Sequence, residues 1–222
     1  MLIKRIIVLT IITLVLSSTA FAQGEFLHPG ESGLFALHNW GFSERLALNE
    51  TPISSFEGQE SWSVTAGFSY KGITEISLSY RDRDYIQVKD YRATFTYYLK
   101  SQKAWGMAGA GLMAGYSSAE TANPTPYNSL YWDRNDLVLG VTIFSNYQAR
   151  NIFAMQLILS GVILTALESR PDGAIAEMRG RFRIALLPKE PIRPFFAVGI
   201  GFEDKGGTDT YGTIEAGVLT AF

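Results

Sequence analysis

The sequence contains no cysteine, and it has only two histidines and eight prolines in 222 residues. Without cysteine the chain has no disulfide framework, no thiolate metal site and no lipoprotein anchor. Its 19 basic and 21 acidic residues nearly balance, which argues against a nucleic-acid partner, since such proteins normally have a basic face. With 13% aromatic residues and 21 glycines, the composition favours an all-β chain over a helical bundle.

The amino-terminal apolar run is too short for a membrane helix. Ile6 to Leu16 follows Lys4 and Arg5 and precedes the sequence Ala20-Phe21-Ala22, a pattern typical of a cleavable signal peptide. We therefore expect a signal peptide at residues 1–22 and one mature domain at residues 23–222. Without the two leader cations the mature chain has 17 basic and 21 acidic residues, a net charge of -4.

Apolar and polar residues alternate with a period of two along most of the chain. Between residues 90 and 100, one face carries Tyr91, Ala93, Phe95, Tyr97 and Leu99, and the other carries Arg92, Thr94, Thr96, Tyr98 and Lys100. Successive side chains of a strand point to opposite faces of a sheet. The pattern recurs around residues 61–70, 174–186, 192–202 and 214–222.

These alternating runs predict ten strands, at residues 33–47, 60–70, 72–81, 90–100, 103–117, 136–147, 151–165, 174–187, 192–203 and 208–222. Most are longer than the roughly 5 to 6 residues of soluble strands and match the roughly 9 to 11 residues of membrane strands. The predicted connections are short at one end and generally longer at the other. Outer-membrane barrels have this arrangement and an even strand number.

A second apolar run, Ile152 to Leu167, could instead be a membrane helix. Its sixteen residues would reach about 24 Å as a helix, short of a hydrocarbon core of about 30 Å. As a strand it places Phe153, Met155, Leu157, Leu159 and Ile163 on one face, with Gln156 and Ser160 on the other. We interpret it as a strand.

The two faces of these strands need different surroundings. The apolar faces need lipid, and the opposite faces carry too much charge to form the dry core of a sandwich. In hydrocarbon every backbone N–H and C=O must be paired, so a spanning sheet must close on itself. The sequence therefore predicts an antiparallel up-and-down transmembrane β-barrel.

Several segments resemble the small outer-membrane β-barrel superfamily, porin-like and OmpX-like. They are Tyr91-Arg92-Ala93-Thr94-Phe95-Thr96-Tyr97-Tyr98-Leu99, Ala108-Gly109-Ala110-Gly111, Gly115-Tyr116, and Pro194 to Phe202. The resemblance implies the bacterial outer membrane, with its lipid and lipopolysaccharide as surroundings and the barrel-assembly machinery as a partner during biogenesis. It also implies that terminal Phe222 is the aromatic residue that this machinery reads. Because familiar members often have eight strands, eight remains the alternative to ten.

Charged residues on the predicted inward faces are the main functional candidates. They are Glu75, Arg92, Glu177, Arg179, Arg181, Arg183, Glu203 and Glu215. One hypothesis is a network of paired charges that fills the lumen, because unpaired buried charge is costly. The other is a narrow, anion-favouring pore lined by Arg179, Arg181 and Arg183.

The remaining motifs have simpler interpretations. Gly109-Ala110-Gly111 with Asp133 formally matches a dinucleotide fingerprint, but the glycines and prolines that follow favour a close-packed strand, so no cofactor is expected. Asp82-Arg83-Asp84 is interpreted as a solvated loop tip and not as a metal site. The loop at residues 118–135, with Tyr127, Tyr131 and Trp132, is a candidate for external recognition or for covering the rim.

The sequence leads to three functional hypotheses. The first is a non-enzymatic barrel with an envelope-structural role, or with a surface-interaction role through its external loops. The second is a narrow channel for small solutes or ions. The third, a barrel hydrolase, would need a histidine base, for which His38 is the candidate in a strand; no catalytic motif surrounds it.

Overall fold

The computed structural model describes residues 27, 30–44, 59–83, 87–99, 108–122, 133–149, 152–168, 174–204 and 208–222. They form ten strands: β1 Gly33–Glu44, β2 Gln59–Tyr70, β3 Thr74–Arg83, β4 Val88–Tyr98, β5 Ala108–Thr121, β6 Arg134–Ala149, β7 Phe153–Ala166, β8 Ile175–Leu186, β9 Ile192–Asp204 and β10 Thr208–Ala221. The predicted signal peptide at residues 1–22 lies outside the described residues. Among the described residues, no helix is long and apolar enough to cross a membrane.

The ten strands form one closed antiparallel barrel. Each strand pairs with the next in sequence, and β1 pairs with β10 from Gly33 opposite Ala221 to Glu44 opposite Thr210. This last pairing satisfies the two edges that an open sheet would leave unpaired. The predicted ten-stranded up-and-down barrel is confirmed, and the alternative of eight strands is wrong.

The predicted alternation of faces is also confirmed. On the outer surface Leu78 is 63% exposed and Phe196 is 57% exposed, although both are large and apolar. On the inner surface Arg183 and Arg134 are completely buried. The apolar outer side is suited to lipid, which is the reverse of the arrangement in a soluble protein.

Several strand boundaries differ from the prediction by a few residues, and the differences in β5 and β3 are the most informative. β5 extends from Ala108 to Thr121, whereas the alternating pattern placed it at residues 103–117. β3 continues to Arg83, because Arg83 pairs across the sheet with Val88 of β4. The interpretation of Arg83 as part of a solvated loop tip is therefore wrong: its side chain is 3% exposed inside the barrel.

The barrel has two different ends. At the terminal end, the described turns between β2 and β3 and between β8 and β9 are short, at residues 71–73 and 187–191. Ser32 and Phe222 also exchange two backbone hydrogen bonds there, of 3.0 and 2.9 Å. The opposite end, here called the loop end, contains Arg83, Thr121, Arg134 and Asp204. The two described turns at the terminal end match the short connections that the sequence predicted there.

Candidate functional site

All eight predicted lumen residues lie on the inner surface of the barrel. Glu75, Glu177, Arg183, Glu203 and Glu215 are buried, and Arg92, Arg179 and Arg181 are half-buried. The inward positions of the four on β8 follow from strand parity, since Glu177, Arg179, Arg181 and Arg183 are spaced two residues apart. Whether they have a functional role stays a prediction.

Arg92 and Glu177 join opposite walls of the barrel. Arg92 Nη1 and Nη2 each donate a hydrogen bond of 2.9 Å to a different carboxylate oxygen of Glu177. Arg92 lies on β4 and Glu177 on β8, strands that are not neighbours in the sheet. This parallel, two-bonded geometry is the strongest form of arginine–carboxylate contact. It places two side chains directly across the lumen.

Further ion pairs reinforce this bridge. Arg83 of β3 contacts Glu203 of β9 at 3.2 Å and also pairs with Asp90 of β4. Arg81 Nη2 lies 3.8 Å from Glu177 Oε1, and other Arg81 nitrogens lie 3.9 Å from Asp90 and Glu203. We call the whole group the crossing cluster: Arg81, Arg83, Asp90, Arg92, Glu177 and Glu203. Its three arginines and three carboxylates balance in charge.

Half of the crossing cluster was missed by sequence reasoning. Arg81, Arg83 and Asp90 lie at the ends of β3 and β4, where alternation is hard to separate from a polar loop. A signal was nevertheless available, because Arg81 and Arg83 have the same parity as Glu75 along β3. Arg81 already lay within the predicted strand at residues 72–81, and extending that strand by two residues would have placed Arg83 in the lumen as well.

The three arginines of β8 extend across β9 to β10. Arg183 Nη2 lies 3.4 Å from Glu215 Oε2, and Arg181 Nη1 lies 3.6 Å from Glu215 Oε1. Arg179 Nη2 donates a 3.3 Å hydrogen bond to the Tyr211 hydroxyl, and its guanidinium lies 5.7 Å from the centre of that ring.

Small residues of β9 make room for this reach. Gly199 and Gly201 occupy inward positions of β9 beside Arg181 and Arg179. A Cβ at Gly199 would lie 2.6 Å from Thr213 Oγ1 and 3.1 Å from Arg181 Cγ. A larger side chain would therefore displace the arginine. The sequence predicted the inward arginines but not the space that Gly199 and Gly201 leave beside them, because that space depends on the register between β8 and β9.

An internal cavity of about 150 Å³ lies between the crossing cluster and the terminal end. Arg92, Arg179, Arg181, Arg183, Glu75, Glu177 and Glu215 line it, together with polar side chains that include Asn39 and Gln156. We call it the central cavity. Toward the terminal end its wall becomes apolar, with Phe35, Leu37, Phe144 and Ile158.

The lumen is filled again at the terminal end, by an apolar cluster consisting of Leu27, Phe35, Leu37, Ala154, Ala185, Phe195, Leu219 and Ala221. Leu27 precedes the first strand and is only 1% exposed. Beside it, Arg193 Nη1 and Nη2 donate hydrogen bonds of 2.8 and 2.9 Å to the two carboxylate oxygens of Glu31. The segment before β1 thus contributes to closing this end.

A closed sheet with an apolar exterior and a charged interior satisfies both requirements of a membrane-spanning β structure. The chain has the fold of a small outer-membrane β-barrel. The resemblance found in the sequence is therefore confirmed at the level of the fold. A barrel of ten strands is close in size to the smallest membrane barrels, whose interiors are filled by side chains.

Two solved structures of outer-membrane proteins align with most of the chain at low identity. The outer membrane protease OmpT from Escherichia coli aligns with a TM-score of 0.42 and 9% identity, over 87% of this chain and 97% of its own. The attachment invasion locus protein Ail of Yersinia pestis, in complex with the heparin analogue sucrose octasulfate, aligns with a TM-score of 0.34 and 10% identity, over 88% of this chain and 100% of its own. No protein-family model and no curated protein sequence matches the chain.

The other predicted residues of this small barrel lie away from the lumen charges or outside the described part. Tyr127, Tyr131 and Trp132 are outside the described residues. Phe222 stacks on Phe68 on the outer surface, with ring centres 6.4 Å apart; its assembly role stays a prediction. The Gly109–Gly111 run lies in β5, and a Cβ at Gly111 would come within 2.8 Å of the Tyr98 ring.

His38 faces outward and does not approach the lumen carboxylates. Its ring lies 4.0 Å from that of Trp40 and 6.0 Å from that of Trp62, centre to centre. Contacts of 5.2 Å continue this aromatic band from Trp62 to Tyr80 and from Tyr80 to Tyr91. Aromatic residues of this kind occur in the interfacial girdles of membrane barrels. In the described ranges, no group of three or more histidine or acidic side chains is arranged to hold a metal ion.

Proposed function

We propose that this barrel resides in the bacterial outer membrane, surrounded by lipid and lipopolysaccharide, and has a non-enzymatic role in envelope structure or surface interaction. The observation that carries the proposal is the Arg92–Glu177 bridge, which occupies the lumen between opposite walls. A barrel closed in this way offers its outer surface and external loops for function. The outward position of His38 lends no support to a hydrolase.

Single-channel recording on the purified protein in planar bilayers tests the closed lumen. We expect no steady open conductance from the wild type. A variant with Leu27, Arg92 and Glu177 all changed to alanine removes side chains on both sides of the central cavity and should conduct. The matched control changes Arg134 and Asp136 to alanine, which removes an ion pair of 2.8 Å within one strand. Steady conductance in the wild type would defeat the proposal.

Fractionation tests the location separately. The mature protein should sediment with outer membranes and should migrate faster on a gel before heating than after it, because a closed barrel resists unfolding by detergent. Recovery of the processed chain as a dissolved periplasmic protein would refute the membrane assignment. The same preparation would show whether the predicted signal peptide at residues 1–22 has been removed.

The central cavity supports the second candidate, a narrow channel for small solutes or ions. The three β8 arginines that line this cavity of about 150 Å³ would favour anions, if the side chains on both sides of the cavity moved aside. The test is a charge reversal of Arg181 and Arg183 to glutamate. A channel should shift its selectivity toward cations, whereas an unchanged reversal potential would count against this candidate.

A further inference from the structure

We propose that the central cavity is a binding site for one small inorganic anion, of the size of chloride or phosphate, held against Arg179. The proposal concerns binding in the interior and does not depend on whether the barrel conducts. It rests on the charge of the cavity wall, the surroundings of Arg179 and the presence of buried amides beside it.

The cavity wall carries more positive than negative charge. Four arginines line it, Arg92, Arg179, Arg181 and Arg183, against three glutamates, Glu75, Glu177 and Glu215. Among the described residues this leaves one guanidinium in excess. An uncompensated charge in a low-dielectric interior is costly, so a small counter-ion in the cavity would stabilise the folded barrel.

We assign the excess charge to Arg179, because its carboxylate neighbours are the most distant. Glu177 and Glu215 attract it electrostatically, but their close contacts are with other arginines: Arg92 contacts Glu177 through two hydrogen bonds of 2.9 Å, and Arg181 and Arg183 lie 3.6 and 3.4 Å from Glu215. Arg179 instead hydrogen-bonds the neutral hydroxyl of Tyr211 at 3.3 Å. A guanidinium has five N–H donors, so Arg179 keeps donors for an anion.

Two buried amides supply further polar groups. Asn39 and Gln156 line the same cavity and are 6% and 1% exposed. Within the described part of the chain, Asn39 Oδ1 and Gln156 Oε1 have no hydrogen-bond partner. Buried polar atoms are normally paired, which indicates that the cavity contents complete their bonding. Either amide can turn its NH₂ group toward an anion, because the two orientations are nearly isosteric.

Cavity size and enclosure limit the ligand. A volume of about 150 Å³ accommodates an inorganic anion with some water but is small for a nucleotide or an oligosaccharide. The crossing cluster lies on one side, and the apolar cluster with Leu27 lies on the other. We therefore expect the anion to enter during folding or to exchange slowly.

The test measures unfolding by urea in detergent at constant ionic strength, after refolding in sodium chloride, sodium phosphate or sodium gluconate. Gluconate serves as a large anion that does not fit. A ligand that binds only the folded state raises the folding equilibrium constant about tenfold for each tenfold increase in concentration above its Kd. We expect this for chloride or phosphate and not for gluconate. Equal responses to all three anions in the wild type would overturn the proposal.

Variants locate the site. Arg179→Gln should abolish the chloride or phosphate response, whereas Arg179→Lys, which keeps the charge, should retain part of it. Glu215→Gln removes a competing carboxylate and should lower the Kd. The matched control, Arg134→Gln, loses an equally buried arginine outside the cavity wall and should respond like the wild type. If Arg179→Gln does not fold, equilibrium dialysis against radiolabelled chloride can compare the wild type with Arg179→Lys. Absence of bound chloride in the wild type would refute the site.

Discussion

Replacing Glu177 alone in the Arg92–Glu177 bridge should lower the free energy of unfolding far more than replacing both partners together. Glu177 is the more sensitive partner, because its Oε1 is contacted by Arg92 at 2.9 Å and approached by Arg81 at 3.8 Å. Glu177→Leu leaves two guanidinium groups without that carboxylate. Removal of one member of a buried ion pair costs about 3 to 5 kcal/mol, and we expect Glu177→Leu to fall in this range.

Arg92→Met should cost less than Glu177→Leu, since Arg81 remains 3.8 Å from Glu177 and can move closer. In the double variant both buried charges are gone, and Arg81 keeps Asp90 and Glu203 within 3.9 Å. Exchange of a buried pair for apolar side chains is often neutral or stabilising. The double variant should therefore be more stable than Glu177→Leu alone.

The assay is urea unfolding of the barrel in phospholipid vesicles, followed by the fluorescence of its four tryptophans. A double-mutant cycle gives the coupling energy between the two positions. Arg134 and Asp136, which pair within β6 at 2.8 Å, provide a control cycle that does not cross the lumen. Additive single-variant effects at Arg92 and Glu177, with coupling near zero, would refute the bridge as described.

Three further changes test other parts of the barrel. Leu159→Arg puts a charge on the lipid-facing side of β7, where Leu159 is 53% exposed, and should lower the unfolding free energy in vesicles by about 2 to 4 kcal/mol; no loss would argue against lipid contact. Leu27→Ala removes a side chain buried to 1% exposure and should destabilise by about 2 to 5 kcal/mol, measured by the same urea titration. Deletion of Phe222 should reduce the heat-modifiable fraction in cells more than it reduces refolding of purified protein; equal losses would indicate a packing role with Phe68 only.

The sequence alone was enough to predict which side chains of the site share the inner face of a strand. Because a strand has a period of two, Arg179, Arg181 and Arg183 had to share a face once β8 was recognised as a strand. The partners of those arginines could not be obtained in this way. Glu215 lies 32 residues from Arg183 in sequence, and their contact depends on the register of β9 between them.

Strand ends were predicted less well for a related reason. Arg81 and Arg83 continue an alternating run, but a polar strand end and a polar loop have similar compositions. Contacts across the lumen show that Arg83 belongs to the strand, because Arg83 contacts Glu203, 120 residues away in sequence. No local sequence pattern contains that information. The aromatic loop residues Tyr127, Tyr131 and Trp132 remain a prediction, outside the described part of the chain.

The sequence by itself determined which side chains face lipid, which face the lumen, and that an exposed apolar sheet must close. These properties follow from local alternation and from the cost of unpaired backbone groups in hydrocarbon. The tertiary structure alone decided what the lumen contains. It brought β4 against β8 and β3 against β9 through their charges, and it enclosed a cavity beside Arg179. Contacts across a barrel join residues that are distant in sequence, so their identity depends on the strand number and register of the closed sheet.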